Sequence, residues 1–243
     1  MIVQTEEAWE RAGVGSGPFL FICEHASARI PSPLTTTDTD RFWLQSHWGV
    51  DIGARGLTLS LVERTRSQAL LTRFSRLLCD ANRHRDHPDL IRKSIEGVPL
   101  SFNTGLDEVE LERRIERYHE PYHQACDRVL ASCSPETVLV SVHSFTPVWK
   151  QTVRTMDVGV LFEEANSGAD ARTLETALRE EGFFTALNEP YSGSNGLMYA
   201  ADRHGRRHRV RHLELELNQA VICTPERVES VAEKLTAALM RLL

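Results

Sequence analysis

The feature that most constrains the fold is the apolar run from Phe19 to Cys23, which leads directly into Glu24 and His25. A continuous apolar run that ends at polar residues is typical of a strand buried on both faces of a sheet. Ligands of open α/β sheets bind beyond the carboxyl ends of such strands, where Glu24 and His25 fall. Because an unpaired buried acid is costly, Glu24 is expected to have a partner or to reach solvent. The alternative, equally open from this stretch alone, is a loop histidine that only binds backbone groups.

The rest of the chain alternates between predicted strands and predicted helices. The predicted strands cover residues 69–72, 77–79, 137–142, 157–162, 183–187 and 211–217. The predicted helices cover residues 47–65, 107–131 with a break at Pro121, and 169–181, and further helices begin near Thr37 and at Pro225. Such alternation predicts a three-layer α/β/α architecture with a mainly parallel mixed sheet. No internal repeat or linker divides the 243 residues, so we expect one domain over residues 1–243.

Composition and charge argue against several classes of protein. The formal net charge is -6, which argues against a surface that binds nucleic acid. A short basic cluster at residues 203–209 is interrupted by a glycine, so it is expected to line a pocket or a solvated loop. The five cysteines are scattered without CxxC spacing, and no apolar run approaches the roughly twenty residues that span a membrane. Residues 1–17 carry no secretory signal, so we expect a cytoplasmic protein that binds neither nucleic acid nor membrane.

Two of the predicted strands run into a histidine, His25 in one case and His143 in the other. In a parallel sheet these strand ends meet at one edge, so the two imidazoles are expected to approach each other. Two imidazoles and one carboxylate, with a fourth position open, form the usual ligand set of a catalytic zinc ion. Asp51 is the favoured carboxylate, and Glu24 competes, although its side chain should leave the strand opposite to that of His25. Each histidine alone is more often structural, and the pair gives the metal hypothesis about even weight.

The stretch from Leu213 to Leu217 places two carboxylates, Glu214 and Glu216, on one face of a predicted strand. One interpretation is an acidic ladder that faces solvent on an edge strand. The functional interpretation requires one buried glutamate beside the metal, where it takes a proton from water and passes it to a leaving amine.

Arg76, Asn82 and Arg83 supply hydrogen-bond donors close together in the sequence. A guanidinium binds a carboxylate through two parallel hydrogen bonds, and an asparagine orients or polarises an amide oxygen. The alternative is that these arginines lie on the surface and pair with Asp80 or Asp86, which contributes little stability.

Several pieces of the sequence follow one another in a recognisable order. They are FICEHAS with a following Ile-Pro, HWGVDIGA, TRFSRLLCDANR, VSVHSFTP, DVGVLF, NEPYSG and HLELELNQ. They extend from about residue 19 to about residue 220, over most of the chain. In this combination the sequence resembles the N-formylglutamate amidohydrolase family, in its smaller and less characterised branch.

The resemblance implies a phosphorylase/hydrolase-like α/β fold related to zinc carboxypeptidases and aspartoacylase. It implies hydrolysis, by metal-activated water, of the amide of an N-formyl or N-acyl acidic amino acid such as N-formyl-L-glutamate. The partner is then a small acidic amide, the cofactor is one Zn²⁺ ion per chain, and the oligomeric state is left open. By position, His25 and His143 match the strand-end histidines of the family and Asp51 matches its acid after His-Trp, so these three are the expected metal ligands. Asn82 with Arg83 matches an Asn-Arg pair that resembles the substrate-binding pair of aspartoacylase.

Further roles follow from the same resemblance. Glu216 matches the late catalytic glutamate, which helps to deprotonate the water. A donor beside the metal, Arg76 or His204, is expected to stabilise the oxyanion.

The sequence also departs from the pattern of related enzymes. Zinc carboxypeptidases carry a glutamate three residues after the first histidine, where this chain has Ala28. The better-known formylglutamate enzymes have proline before that histidine, where this chain has Glu24, and commonly Ser-Gly after it, where this chain has Ala26 and Ser27. These differences affect the expected identity of the substrate more than the expected hydrolysis by metal-activated water.

Three alternatives remain open from the sequence. In the first, the substrate is another N-acyl amino acid, and in the second it is a γ-glutamyl peptide. In the third, the chain is a binding module with the same fold that has lost catalytic activity. The intact set of His25, Asp51, His143 and Glu216 argues against the module. A serine nucleophile is disfavoured because no GxSxG turn is present and Ser144 has no triad spacing.

Overall fold

The centre of the molecule is a sheet whose inner strands are the most apolar segments of the sequence. The structure is a computed structural model that describes residues 2–193 and 196–243. All five residues of the strand Phe19–Cys23 are buried, and so are all eight of the strand Val138–Phe145. Strands buried on both faces are apolar throughout rather than alternating, which is why these two were recognisable from the sequence.

The described elements are named here in chain order. The strands are β1 Ile2–Thr5, β2 Trp9–Ala12, β3 Phe19–Cys23, β4 Gln68–Thr72, β5 Ser94–Ile95, β6 Val98–Pro99, β7 Val138–Phe145, β8 Val148–Trp149, β9 Thr152–Val153, β10 Val158–Leu161, β11 Thr185–Leu187 and β12 His212–Asn218. The helices are α1 Asp38–Leu44, α2 Ala54–Thr65, α3 Glu108–Arg114, α4 Glu120–Leu130, α5 Glu164–Glu180, α6 Tyr199–His208 and α7 Pro225–Leu239.

The main sheet has eight strands in the order β1-β2-β4-β3-β7-β12-β10-β11. Parallel pairs join β3 to β4, β3 to β7, β7 to β12 and β10 to β11. Antiparallel pairs join β1 to β2, β2 to β4 and β10 to β12. The predicted α/β fold with a mixed, mostly parallel sheet is therefore confirmed, and the parallel centre brings the carboxyl ends of β3, β7 and β12 to one edge.

Alternate residues of the central strands contact two different layers of helices. Phe21, Val140 and Leu215 pack in the cluster that includes residues of α2, α5 and α7. Leu20 and Leu139 pack in a second cluster with residues of α4 and α6. The sheet therefore lies between two helical layers, and the even-numbered residues of β12 face the second layer.

The structure corrects several predicted boundaries. The helix expected from residue 47 begins at Ala54, because Gly53 has a φ of 83° and a side chain there would approach the Ile222 carbonyl oxygen to 2.5 Å. The segment 77–79 is not a strand, because residues 77 and 78 lie in a turn and residue 79 is irregular. The helix predicted over 107–131 has a π-helical segment at Ile115–His119, immediately before the turn that holds Pro121.

The basic cluster at 203–209 is also placed differently from the prediction. Most of it belongs to α6 rather than to a loop, and α6 packs against α4. All five cysteines are free thiols, as expected from their spacing. Among the described residues, no helix has both the length and the apolar character needed to cross a bilayer.

Candidate metal centre

His25, Asp51 and His143 meet at the carboxyl ends of β3 and β7. The Oδ2 atom of Asp51 lies 3.3 Å from Nδ1 of His25 and 2.8 Å from Nδ1 of His143. All three residues are buried, and one ligand atom from each lies within 4.8 Å of the others. The structure therefore brings together the three residues that the sequence nominated as metal ligands.

Local hydrogen bonds hold Asp51 at this point. It lies in the turn before α2, and its N–H donates to the carbonyl oxygen of His25 over 3.1 Å. The N–H of Ser144 donates to Asp51 Oδ2 over 3.1 Å. Asp51 is thus fixed to the ends of both histidine-bearing strands.

The outer nitrogen of each imidazole has its own carboxylate. His25 Nε2 lies 2.7 Å from Asp80 Oδ1, and His143 Nε2 lies 3.0 Å from Glu24 Oε2. When each Nε2–H donates to its carboxylate, the Nδ1 lone pairs of both rings face Asp51. Metal-ligating histidines are typically held in this way, with the second nitrogen donating to an acid.

Glu24 is accordingly placed behind His143 rather than among the three clustered residues. It is fully buried and accepts hydrogen bonds from the hydroxyls of Ser141, over 2.8 Å, and Tyr122, over 3.3 Å. The expectation that Glu24 has a partner is confirmed. Asp80 was considered in the sequence only as an ion-pair partner, and its contact with His25 spans 55 positions, so no local signal reveals it.

Asp80 also organises the arginines beside the cluster. Arg76 Nη2 donates to Asp80 Oδ2 over 2.9 Å, and its Nη1 lies 3.7 Å from Asp51 Oδ1. The N–H of Asn82 donates to Asp80 Oδ1 over 2.9 Å. One carboxylate therefore orients His25, Arg76 and the start of the following turn.

The paired acids near the imidazoles have lowered pKa values. Burial would raise the pKa of Asp51, but the charges and hydrogen bonds of His25 and His143 hold it below its usual value. Burial likewise opposes the charge of Asp80, and Arg76 and His25 lower its pKa well below normal. For His143 burial favours the neutral ring, yet Glu214, Asp51 and Glu24 raise its pKa well above normal. The site therefore has a strong negative field that favours a cation.

Glu214 and Glu216 lie on the same face of β12, beside His143 of the neighbouring strand β7. Glu216 is level with His143 in the pairing of β12 with β7, and both glutamates are buried, with 1% and 6% of their surface exposed. Because β12 lies between β7 and β10, the exposed edge ladder considered in the sequence analysis is wrong.

The two glutamates differ in their surroundings. Burial raises the pKa of Glu214 to about 7, and its carboxylate lies 3.7 Å from His143 Nε2 and 3.5 Å from Asn82 Nδ2. Burial raises the pKa of Glu216 well above normal, and its Oε2 has no hydrogen-bond partner among the described residues. Glu216 lines the pocket that opens onto the cluster, whereas Glu214 does not.

That pocket is lined by both polar and aromatic side chains. The polar ones include His25, Asp51, His143, Arg76 and Glu216. The aromatic ones are the rings of Trp48, Phe145, Trp149 and Tyr191. The nominated residues Asn82 and Arg83 also line it.

Asn82 and Arg83 differ in the hydrogen bonds that their side chains form within the described chain. The Asn82 amide donates to the carbonyl of Leu197 and accepts from the N–H of Ala200, both over 2.9 Å, so it ties this turn to the start of α6. The Arg83 guanidinium has only a 3.9 Å contact, to Asp80, and within the described chain it forms no side-chain hydrogen bond. Its donors are therefore available to a ligand.

His204 lies outside this pocket, contrary to the expectation that it stands beside the metal. It is fully buried, with Nδ1 2.8 Å from Asp127 Oδ1 and Nε2 2.8 Å from His123 Nδ1. His123 Nε2 lies 3.3 Å from His119 Nε2, which in turn donates to the carbonyl oxygen of Arg83 over 2.9 Å. His204, His123 and His119 thus form a row of histidines behind the pocket wall. No local pattern reveals this row, because α4 and α6 meet only in the fold.

The donor set fits a divalent transition metal such as zinc. Two imidazole nitrogens and one carboxylate oxygen converge on one point, and the remaining side faces the pocket. A metal ion bound there would take one electron pair from each ring nitrogen and from the carboxylate, so its binding would require both rings to be deprotonated.

Comparisons with known proteins identify the family of this chain. A family model described as N-formylglutamate amidohydrolase matches residues 17–223. No curated protein matches the chain. A solved structure of a gene product from Agrobacterium tumefaciens is 25% identical, with 98% of this chain and 95% of that chain covered and a TM-score of 0.86. The solved N-formylglutamate amidohydrolase from Ralstonia eutropha JMP134 is 18% identical, with 98% and 97% covered and a TM-score of 0.76, which is a likeness of fold.

Proposed function

Because the chain belongs to the N-formylglutamate amidohydrolase family, we propose that it hydrolyses the amide of N-formyl-L-glutamate or of a closely related N-acyl acidic amino acid. The observation that carries the proposal is the convergence of His25, Asp51 and His143 beside Glu216, whose Oε2 has no hydrogen-bond partner among the described residues. Paired groups with pKa values displaced in opposite directions are typical of acid–base sites.

We propose one Zn²⁺ ion per chain, held by His25 Nδ1, His143 Nδ1 and Asp51. A zinc ion bound there would polarise the amide carbonyl and lower the pKa of water. Asp80 and Glu24 keep the two rings oriented through their outer nitrogens.

Glu216 is the proposed general base. It lines the pocket, is level with His143 in the sheet, and leaves one carboxylate oxygen without a partner in the described chain. An unpartnered carboxylate in a buried position accepts a proton readily, so Glu216 would take a proton from the attacking water and pass it to the leaving nitrogen.

Arg76 is the proposed donor to the developing oxyanion. It lines the pocket and is oriented by Asp80, which fixes its guanidinium before substrate arrives. The alternative donor, His204, does not reach the pocket, so we propose Arg76 alone for this step.

Arg83 is the proposed partner of the substrate carboxylate, since its guanidinium donors are not engaged by hydrogen bonds within the described chain. Asn82 lies next to it and lines the same wall, but its amide is engaged with Leu197 and Ala200. We therefore propose that Asn82 mainly positions this wall.

The test combines metal analysis with hydrolysis. Purified protein loaded with zinc is expected to contain about one zinc per chain and to release formate from N-formyl-L-glutamate. His25→Ala and His143→Ala should each lose most of the metal and nearly all hydrolysis, whereas His84→Ala, which removes an exposed histidine, should lose neither.

A substrate panel separates the proposal from its alternatives. N-formyl, N-acetyl and γ-linked glutamates and aspartates are compared with the same protein. Hydrolysis of only the γ-linked compounds would replace the proposed substrate, and full zinc content in both histidine variants would overturn the ligand assignment. Zinc binding without hydrolysis of any compound would favour the binding module.

A further inference from the structure

The row of His119, His123 and His204 takes no part in the proposed hydrolysis, although its rings are buried. His119 is 2% exposed, and the other two residues are fully buried. One end of the row reaches the carbonyl oxygen of Arg83, and the other end reaches the carboxylate of Asp127. Because a buried polar group is costly unless it is hydrogen-bonded, and a satisfied network rigidifies its surroundings, the row should fix the segments that it joins.

The row connects two helices to the turn that carries Arg83. His123 belongs to α4 and His204 belongs to α6, so their contact over 2.8 Å joins the two helices. His119 is the last residue of the π-helical segment Ile115–His119. Such segments are rare and are frequently found at functional sites. The irregular turn therefore ends at the ring that contacts the Arg83 carbonyl oxygen.

The outer end of the row determines which nitrogen is protonated in two of the rings. Burial would raise the pKa of Asp127, but the hydrogen bonds of His204 and His208 lower it to about 2, so its carboxylate only accepts. With one proton per ring, His204 Nδ1 must donate to Asp127, which leaves His204 Nε2 as an acceptor. His123 must then donate from Nδ1 to His204, and its own Nε2 is left as an acceptor.

The inner end of the row requires the same order. Burial lowers the pKa values of His119 and His123, which keeps both rings neutral at neutral pH. The Arg83 carbonyl oxygen only accepts, so His119 must carry its proton on Nε2. This N–H faces both the carbonyl oxygen, at 2.9 Å, and Nε2 of His123, at 3.3 Å. The acceptors at both ends therefore select one tautomer of His119, the one that donates to Arg83.

The backbone of Arg83 is held on both sides, whereas its side chain is not. The Arg83 N–H donates to the carbonyl oxygen of Asp80 over 3.1 Å, and the Arg83 carbonyl oxygen accepts from His119. Asn82, the preceding residue, is tied to the start of α6 through its amide. The Arg83 side chain lines the pocket and forms no hydrogen bond within the described chain. His119 therefore fixes the point from which this side chain extends toward a ligand.

We propose that His119, held in one tautomer by His123 and His204, positions Arg83 to bind the substrate. The inference rests on the proposed function, in which Arg83 binds the substrate carboxylate, and it adds a residue that does not line the pocket. His119 acts through Arg83 and touches no reacting group, so it is a positioning residue. An arginine that is already in place loses less conformational freedom on binding. Removing the His119 N–H should therefore weaken substrate binding and leave kcat nearly unchanged.

The first test is a double-mutant cycle between His119 and Arg83. His119→Phe keeps a buried ring but removes the donor, and it should raise KM for N-formyl-L-glutamate about 3- to 10-fold, the range for one lost hydrogen bond. His119→Gln should restore most of the affinity, because its amide nitrogen can donate from a similar place. In the Arg83→Ala background, His119→Phe should raise KM no further, since the effect passes through Arg83.

His208→Gln is the matched control for these variants. His208 Nε2 lies 2.9 Å from Asp127 Oδ1, so it belongs to the same network but lies at its outer end. Its substitution should leave KM unchanged. Melting temperatures are measured for every variant, since a general loss of stability would act equally with and without Arg83.

The second test does not depend on hydrolysis. Nitrogen-15 spectra of the zinc-loaded protein with labelled histidine rings should show neutral rings, protonated at Nε2 in His119 and at Nδ1 in His123 and His204. The product of the proposed reaction, L-glutamate, is titrated into the same protein by calorimetry. His119→Phe should weaken its binding about 3- to 10-fold, and only when Arg83 is present.

The outcomes separate the positioning role from the proposed function. His123 protonated at Nε2, facing the backbone carbonyl of Ala81 that favours its charged form, would break the order of the row and overturn the proposal. An equal effect of His119→Phe with and without Arg83, or no effect on KM and on L-glutamate binding, would also overturn it, while hydrolysis of N-formyl-L-glutamate would leave the proposed function intact. If the protein hydrolyses no compound of the panel but L-glutamate binding depends on His119 through Arg83, the proposed function fails and the positioning role stands.

Discussion

Replacing Glu216 by glutamine separates proton transfer from metal binding. Glutamine has the size of glutamate but cannot accept a proton, so kcat for N-formyl-L-glutamate should fall by about 100- to 10,000-fold. This corresponds to about 3 to 5 kcal/mol of lost transition-state stabilisation. The fold should be little affected, because Glu216 Oε2 has no hydrogen-bond partner in the described chain that the substitution would break.

Glu214→Gln is the matched control for this experiment. Glu214 lies on the same face of β12, two residues away, but it contacts His143 and Asn82 and does not line the pocket. Its substitution should therefore slow turnover much less than the substitution of Glu216. Both variants are measured for kcat, for zinc content by elemental analysis and for melting temperature.

Each possible failure has a different meaning. Loss of zinc from Glu216→Gln would make Glu216 a ligand and would put Asp51 in question. Inactivity of Glu214→Gln with normal turnover in Glu216→Gln would assign the base to the other glutamate. Normal turnover in both variants would refute the proton-transfer step proposed here.

Two further predictions concern the pocket wall and the histidine row behind it. Arg83→Ala should raise KM for N-formyl-L-glutamate at least about 10-fold, because the substrate carboxylate loses its bidentate hydrogen bonds to the guanidinium. Arg83→Lys should recover part of that loss. An unchanged KM in both variants would assign the substrate carboxylate to another cation. Burial, assisted by the nearby His119 and His204, holds the pKa of His123 well below 6.5. The His123 ring therefore stays neutral in the folded state at a pH where it is protonated in the unfolded chain. The free energy of unfolding should then decrease as the pH falls below about 6.5, by up to about 1.4 kcal/mol per pH unit. Urea unfolding between pH 5 and pH 7 should therefore show a flatter pH slope for His123→Gln than for the wild type, and an unchanged slope would contradict this account.

The parts of the fold that were predicted correctly depend on local patterns. The run from Phe19 to Cys23 and the segment 137–142 are apolar because both of their faces are buried, which is visible without any partner strand. The alternation in β12 showed that Glu214 and Glu216 share a face. Because the carboxyl ends of parallel strands meet at one edge of the sheet, the proximity of His25 and His143 was also predicted.

The parts that were missed depend on contacts between distant segments. Asp80 reaches His25 across 55 positions, and nothing in its neighbourhood marks it as a partner of a histidine. His204 was named with Arg76 as a donor beside the metal, but the packing of α6 on α4 directs it to His123 and Asp127 instead. The start of α2 was misplaced because Gly53 takes a positive φ of 83°, and Ile222, which is far away in the sequence, leaves no room there for a side chain.

The separate hairpin of β8 and β9 has a consequence for how such a protein diverges. His25, Asp51, His143 and Glu216 belong to strands and turns of the main sheet, where a change of register would disturb the whole core. The hairpin pairs with no strand of that sheet in the described structure, and its tip is exposed. Insertions and substitutions there are tolerated by the fold. Because Trp149 of this hairpin lines the pocket, substitutions between residues 148 and 154 can change the pocket lining without disturbing the main sheet.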